Sequence, residues 1–200
     1  MRVSRPRQTT IARRMNDPIS LRPVRVNFQW YLAFAASWVL SQERLILKTG
    51  ISLTAAQLND ARLAGVAYPQ RVRLLVVEQI PLPAQPELRA MVEAMKLNAP
   101  TAAGLSLRYG IYVRSEYLGS RQALVHKLAH TAQYERLGGV RTFLEAYLYQ
   151  CLAVGKIAAP LEQEATEVAE RICGPAPDIP TAPWPAGRAG KLPVPSGTSG

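Results

Sequence analysis

The sequence predicts an α+β fold, mostly helical with a small β-sheet or hairpin, built as a single domain. Three observations carry this. Six stretches read as helices, most with a recognisable start or stop signal. Two runs, 71–80 and 104–117, are β-branched or aromatic and bounded by proline or glycine. The chain has 200 residues, 48% of them hydrophobic, enough for one proper core but not for two.

The elements follow in order. Residues 1–27 carry arginine and proline with little periodicity and read as a disordered basic arm. From Phe28 to about Lys48 an apolar stripe including Trp30, Phe34, Trp38 and Ile46 suits a helix packed on the core. Thr54 followed by Gln57 is a reciprocal capping box, and Gly65 is a stop, so Ala55 to Ala64 reads as a short helix. Arg71 to Ile80 reads as a strand ended by Pro81 and Pro83, which have no N–H to give a ladder. Glu87 to Leu97 returns to helical spacing, with Leu88, Met91 and Met95 on one side. Gly104 to Tyr117 reads as one or two strands with a turn or bulge near Tyr109-Gly110. Ser120 caps a helix that runs to about Leu137 and stops at Gly138-Gly139. A helix from Val140 to Val154 stops at Gly155, and another runs from Pro160 to Cys173. Residues 174–200, rich in proline and glycine, read as a disordered tail, leaving 28–173 as the domain.

The formal charge of +10 is concentrated in the arm, where seven arginines face Asp17, and only +3 remains on residues 28–173. That balance excludes a strongly basic globular surface, and no groove-reading element accompanies it, so sequence-specific nucleic-acid binding is not expected. The longest apolar run, Phe28 to Leu40, falls short of the roughly 20 residues that span a bilayer. A signal peptide can be drawn with Ala33-Phe34-Ala35 as its cleavage site, but the long arm and bulky aromatics fit it poorly, and a cytoplasmic location is expected. Cys151 and Cys173 read as two small hydrophobes rather than a disulfide framework.

The chain has only two histidines, His126 and His130, four apart on one helix. That spacing puts both imidazoles on one side, one turn apart, where both can bind a Zn²⁺ ion at about 2.1 Å. On the helical wheel Leu124, Leu128 and Ala132, with Val125 and Ala129 beside them, oppose His126, His130, Gln133 and Leu137, so the helix is expected to be covered on both sides. In zinc hydrolases with this spacing the residue after the first histidine is a glutamate that takes a proton from the metal-bound water. Here it is Lys127. An ammonium has no free lone pair and repels a cation.

The stretch AGLSLRYGIYVRSEYLGSRQALVHKLAHTAQYERLGG, with RTFLEAYL and APLEQEA after it, resembles an uncharacterised bacterial family of small zincin-like proteins, inferred metallopeptidases of the minimal gluzincin kind. The resemblance covers roughly Leu53 to Arg171. The family's helix reads HELxHxxQYERLGG, and the present chain keeps His126, Leu128, His130, Gln133 and Tyr134 to Gly139 but departs at Lys127. The resemblance implies a zincin-like fold, Zn²⁺ as cofactor, and a third ligand from a Glu-x-x-Ala pattern on a later helix. Glu162-Gln163-Glu164-Ala165 matches with Glu162 as ligand, although periodicity puts Glu162 and Glu164 equally far from the centre of the inward face. It also implies that the strand around Tyr109 to Val113 borders a cleft able to hold an extended peptide or protein segment. Tyr134, seven residues beyond Lys127, is a candidate phenol near the site. Glu135 and Glu164 are the candidate replacement bases, with Glu135 almost opposite the histidines. The expected function is that of a zinc-binding relative of metallopeptidases with hydrolysis lost or much reduced; the alternative is a metal-free interaction or scaffold protein using the same cleft.

Overall fold

The computed structural model describes residues 22–94 and 102–174. The arm up to residue 21, the end of the helix expected through Met95 and Leu97, and the tail from 175 lie outside the described residues. Six α-helices and a four-stranded mixed sheet make a mostly helical α+β fold.

Helix α1 runs Arg22–Thr49, starting six residues before the boundary expected at Phe28; Pro23 falls in the first turn, where a missing N–H costs nothing. Its buried face also differs from the expected stripe. Leu32, Ala35, Val39, Glu43 and Ile46 are buried, whereas Trp30 is 63% and Phe34 49% exposed. The residues at spacing 3, 4, 4, 3 turn to the sheet and α5, and the two aromatics are left on the exposed side.

Strand β1 (Ile51–Ser52) is too short to stand out in sequence. Helix α2 (Ala55–Leu63) starts on the expected box: Gln57 N–H donates to Thr54 Oγ1 at 3.3 Å and Thr54 N–H to Gln57 Oε1 at 2.9 Å. The run expected as a strand over 71–80 divides. Pro69–Arg71 forms a 3-10 turn, and only Arg73–Val77 is strand β2, because its partner strand ends opposite Val77. Helix α3 is Pro86–Ala94. Strands β3 (Gly104–Leu107) and β4 (Gly110–Arg114) form a hairpin.

The hairpin turn is Arg108-Tyr109, one residue before the expected position, with Arg108 at φ 64. A non-glycine residue holds that conformation only when its surroundings fix it. Here Arg108 Nε and Nη2 donate to the buried Glu43 carboxylate at 2.8 and 2.7 Å, Tyr109 N–H donates to the same carboxylate at 3.1 Å, and Thr131 Oγ1 donates to the Arg108 carbonyl at 2.7 Å. Gly110 follows because α1 crosses it closely: a Cβ there would sit 3.1 Å from Ile46 Cβ.

The strand order is β1-β2-β4-β3, with β2 and β4 parallel and the other pairs antiparallel. Along β4, Ile111 and Val113 face a core shared with α2, α4 (Arg121–Arg136) and α6 (Pro160–Cys173), while Tyr112 faces one shared with α1 and α5 (Val140–Val154). Helices therefore cover both faces of the sheet. The starts and stops of α4, α5 and α6 fall where the sequence puts them. Ser120 Oγ accepts from Ala123 N–H at 3.2 Å, and α4 closes with Gly139 N–H on the Tyr134 carbonyl at 2.8 Å and Gly138 at φ 85. Cys151 is buried, Cys173 half-buried, and both are free thiols. No helix among the described residues is long and apolar enough to cross a membrane.

Candidate metal centre

Helix α4 is covered on both sides, as its pattern requires. Leu124, Val125, Leu128 and Ala129 pack into the first core, Tyr134 into the second, and His130 and Gln133 are buried between α4 and its neighbours. This brings His126 and His130 to face the first turn of α6, where Glu162 lies. His126 Nε2 and His130 Nε2 are 3.1 Å apart, His126 Nε2 lies 3.3 Å from Glu162 Oε2, and His130 Nε2 lies 3.5 Å from Glu162 Oε1. Two donors held about 2.1 Å from one zinc ion at tetrahedral angles are about 3.4 Å apart. All three separations fit one small divalent ion, and among the described residues these side chains form a cluster whose donor atoms lie within 4.8 Å of one another.

The position of Glu162 is built from both sides. Leu161 N–H donates to Gln150 Oε1 of α5 at 3.0 Å, and the Leu161 carbonyl accepts from Gln133 Nε2 of α4 at 2.9 Å. Those bonds pin the start of α6, and Pro160 enters its first turn without an N–H to satisfy. A carboxylate in that first turn is also favoured by the helix dipole. The Tyr147 hydroxyl of α5 donates to Glu162 Oε1.

Gln133 also orients a histidine. Because its amide nitrogen is turned to Leu161, its oxygen faces His130 Nδ1 at 2.8 Å. Nδ1 must then carry the proton, which leaves the Nε2 lone pair toward His126 and Glu162. A metal-binding histidine is oriented in this way by a partner on its other nitrogen. The sequence groups Gln133 with the histidines by periodicity but does not reveal this bond. Tyr147 has no distinguishing pattern in the sequence; the one signal is an aromatic on the inward side of α5.

Electrostatics favour neutral imidazole beside an ionised carboxylate. Burial holds His126 down to about 4, against the raising effect of its hydrogen bond to Glu162, and the neighbouring charge of Lys127 lowers it further. For Glu162, burial pushes upward, but its close contacts with the His126 and His130 imidazoles outweigh it and the carboxyl is held well below the usual range. Lys127 is pushed down to about 8, chiefly by burial.

The remaining expected site residues separate clearly. Glu164 forms a two-bond pair with Arg136 at 2.6 and 2.7 Å on the surface and does not join the cluster. Glu135 accepts from Ala67 N–H at 2.6 Å, Tyr68 N–H at 3.2 Å and the Tyr109 hydroxyl at 2.9 Å, so it fastens the α2–β2 connection and is unsuited to serve as a base. Tyr134 is a core residue, its ring stacked 3.7 Å from Phe143. The strand beside the site is β3, not the Tyr109 to Val113 segment. β4 is paired on both sides, whereas β3 is the sheet edge, and Gly104 to Leu107 line a cavity that also reaches Lys127, His130 and Glu162.

Comparison with protein-family models, with curated proteins and with solved structures finds no match. The functional reading therefore rests on the site itself. Chemically, the three donors with their oriented histidine suit a zinc ion, which when bound supplies Lewis acidity and a lowered water pKa. The chain places an ammonium, rather than a carboxylate, beside that position.

Proposed function

We propose that the chain is a zinc-binding, zincin-like protein related to metallopeptidases, with His126, His130 and Glu162 as ligands and with hydrolysis lost or strongly reduced because Lys127 stands where the general base belongs. The observation that carries this is the match of three donor separations to one tetrahedral ion, with His130 held in the tautomer that a metal requires. The edge strand β3, bordering the cavity, gives a peptide or protein segment a backbone to pair with. Neither candidate replacement base is available to stand in for the missing carboxylate at position 127, since Glu135 and Glu164 are both engaged elsewhere.

A metal-free interaction protein is the second reading. It draws on the internal satisfaction of the cluster: Glu162 accepts from Tyr147, and both histidines lie within ion-pair reach of it. The experiment on activity is Lys127→Glu in zinc-loaded protein, assayed on casein. The peptidase ancestry expects hydrolysis above the parent protein. Silence from both forms while zinc is bound removes most of the support for that ancestry.

A further inference from the structure

Next to the cluster lies a cavity of about 110 Å³ whose walls are mostly apolar, with Trp38, Ile80, Leu88, Met91, Phe143 and Leu148 among them. Two ammonium-bearing side chains, Lys127 of α4 and Lys156 of the α5–α6 connection, also line it. Both residues are half-buried, and among the described residues neither has a carboxylate within ion-pair or hydrogen-bond distance. Glu162 is the one acidic side chain on the cavity wall, and it is turned to the histidines and Tyr147. The cavity therefore has two ammonium groups on its wall against one carboxylate that is already engaged.

Two half-buried ammonium groups that share one carboxylate already engaged by other side chains are costly, and a concave apolar site with a few convergent polar groups is the usual form of a small-molecule pocket. Both features call for the same occupant, an apolar body ending in an anion. Size sets its length. A cavity of roughly 150 Å³ accommodates benzene, so 110 Å³ holds a chain of about five carbons.

We propose that this cavity binds a free aliphatic carboxylate of about six carbons, its chain among Trp38, Leu88 and Leu148 and its carboxylate between Lys127 and Lys156. The proposal does not rest on zinc, because the two lysines are present with or without it. Lys127 thereby gains a positive role, since the residue that hinders hydrolysis recognises the anionic head.

The test is calorimetric titration of the full chain, stripped of metal with EDTA, with sodium hexanoate, 1-hexanol and acetate. Hexanoate is expected to bind one per chain, at least about tenfold tighter than hexanol, which lacks the charge, and than acetate, which lacks the chain. Lys127→Met and Lys156→Met should each weaken hexanoate severalfold while leaving hexanol unchanged. Lys127→Arg should retain it, and Ala35→Phe, which fills the cavity, should abolish binding of both. Variants are first checked for native circular dichroism, and the two lysine variants serve as independent arms should one misfold. The proposal is overturned if hexanoate fails to bind, binds no tighter than hexanol, binds only after zinc is restored, or binds equally well to a folded Lys127→Met or Lys156→Met protein. Loss of the zinc reading leaves these outcomes untouched.

Discussion

Replacing Lys127 by methionine should stabilise the metal-free protein, an unusual outcome for a residue in a candidate site. The side chain is half-buried and burial pushes its pKa from 10.5 down to about 8. At 1.36 kcal/mol for each unit of pKa, that difference corresponds to a cost of about 3 kcal/mol for carrying the folded-state charge near neutrality. Partial access to solvent trims the figure, so a gain of about 1–3 kcal/mol is expected for Lys127→Met, whose chain keeps the packing of the lysine stem. For a domain of this size that is a rise in melting temperature of about 3–10 °C. The sign with pH is fixed. Between about 8 and 10.5 the unfolded chain holds the Lys127 proton while the folded protein has lost it. Parent stability therefore rises with pH across that window relative to the variant, whose advantage is full below pH 8 and absent above 10.5. Paired thermal melts of EDTA-treated protein at pH 7 and pH 10.5 measure this, with other titrations cancelling between the two proteins. A variant no more stable than the parent at pH 7, or with an advantage independent of pH, would refute the reasoning.

Acid should act through His126: its folded pKa of about 4 lies below the ordinary 6.5, so stability is full above 6.5 and falls as pH drops toward 4. The loss should be at most about 3 kcal/mol, read in urea melts, and His126→Gln should remove that part of the slope. Gln133→Leu strips His130 of its Nδ1 partner and Leu161 of a donor to its carbonyl; zinc affinity, measured by competition with a chromophoric chelator, should fall by about 10–100-fold. Arg108→Met leaves the Glu43 carboxylate buried without its two-bond partner, and denaturant unfolding should report a loss of about 3–5 kcal/mol. Glu164→Gln weakens an exposed pair with Arg136 and keeps an amide oxygen and nitrogen beside Gln133, so it should leave zinc affinity within about twofold, in contrast to Glu162→Gln.

Local signals carried well from sequence to structure. The Thr54 box, the Ser120 cap, Gly138-Gly139 and Pro160 mark helix ends because each satisfies backbone groups within a few residues of itself. The histidine pair is equally local, since four residues of helix fix the distance between two side chains. What required tertiary contacts was not legible. The outward set of Trp30 and Phe34 on α1 could not be told from the inward set of Leu32, Val39 and Ile46, because both repeat at helical spacing and only the position of the sheet decides between them. Strand β3 rather than the 109–113 segment became the edge through the parallel pairing of β2 with β4, a long-range choice. The choice of Glu162 over Glu164 turned on the rotation of α6, which is set by Gln133 and Gln150 gripping Leu161 and by Arg136 holding Glu164. Gln133 itself was visible only as a neighbour of the histidines until its two partners were known.

Metal content after zinc saturation and exhaustive dialysis tests the central claim most directly, measured by mass spectrometry on the parent protein and on His126→Ala and Glu162→Ala. A site of two histidines and one glutamate expects about one zinc per chain in the parent and little in either variant. A folded parent that retains no zinc, or a His126→Ala protein that retains as much as the parent, would contradict it.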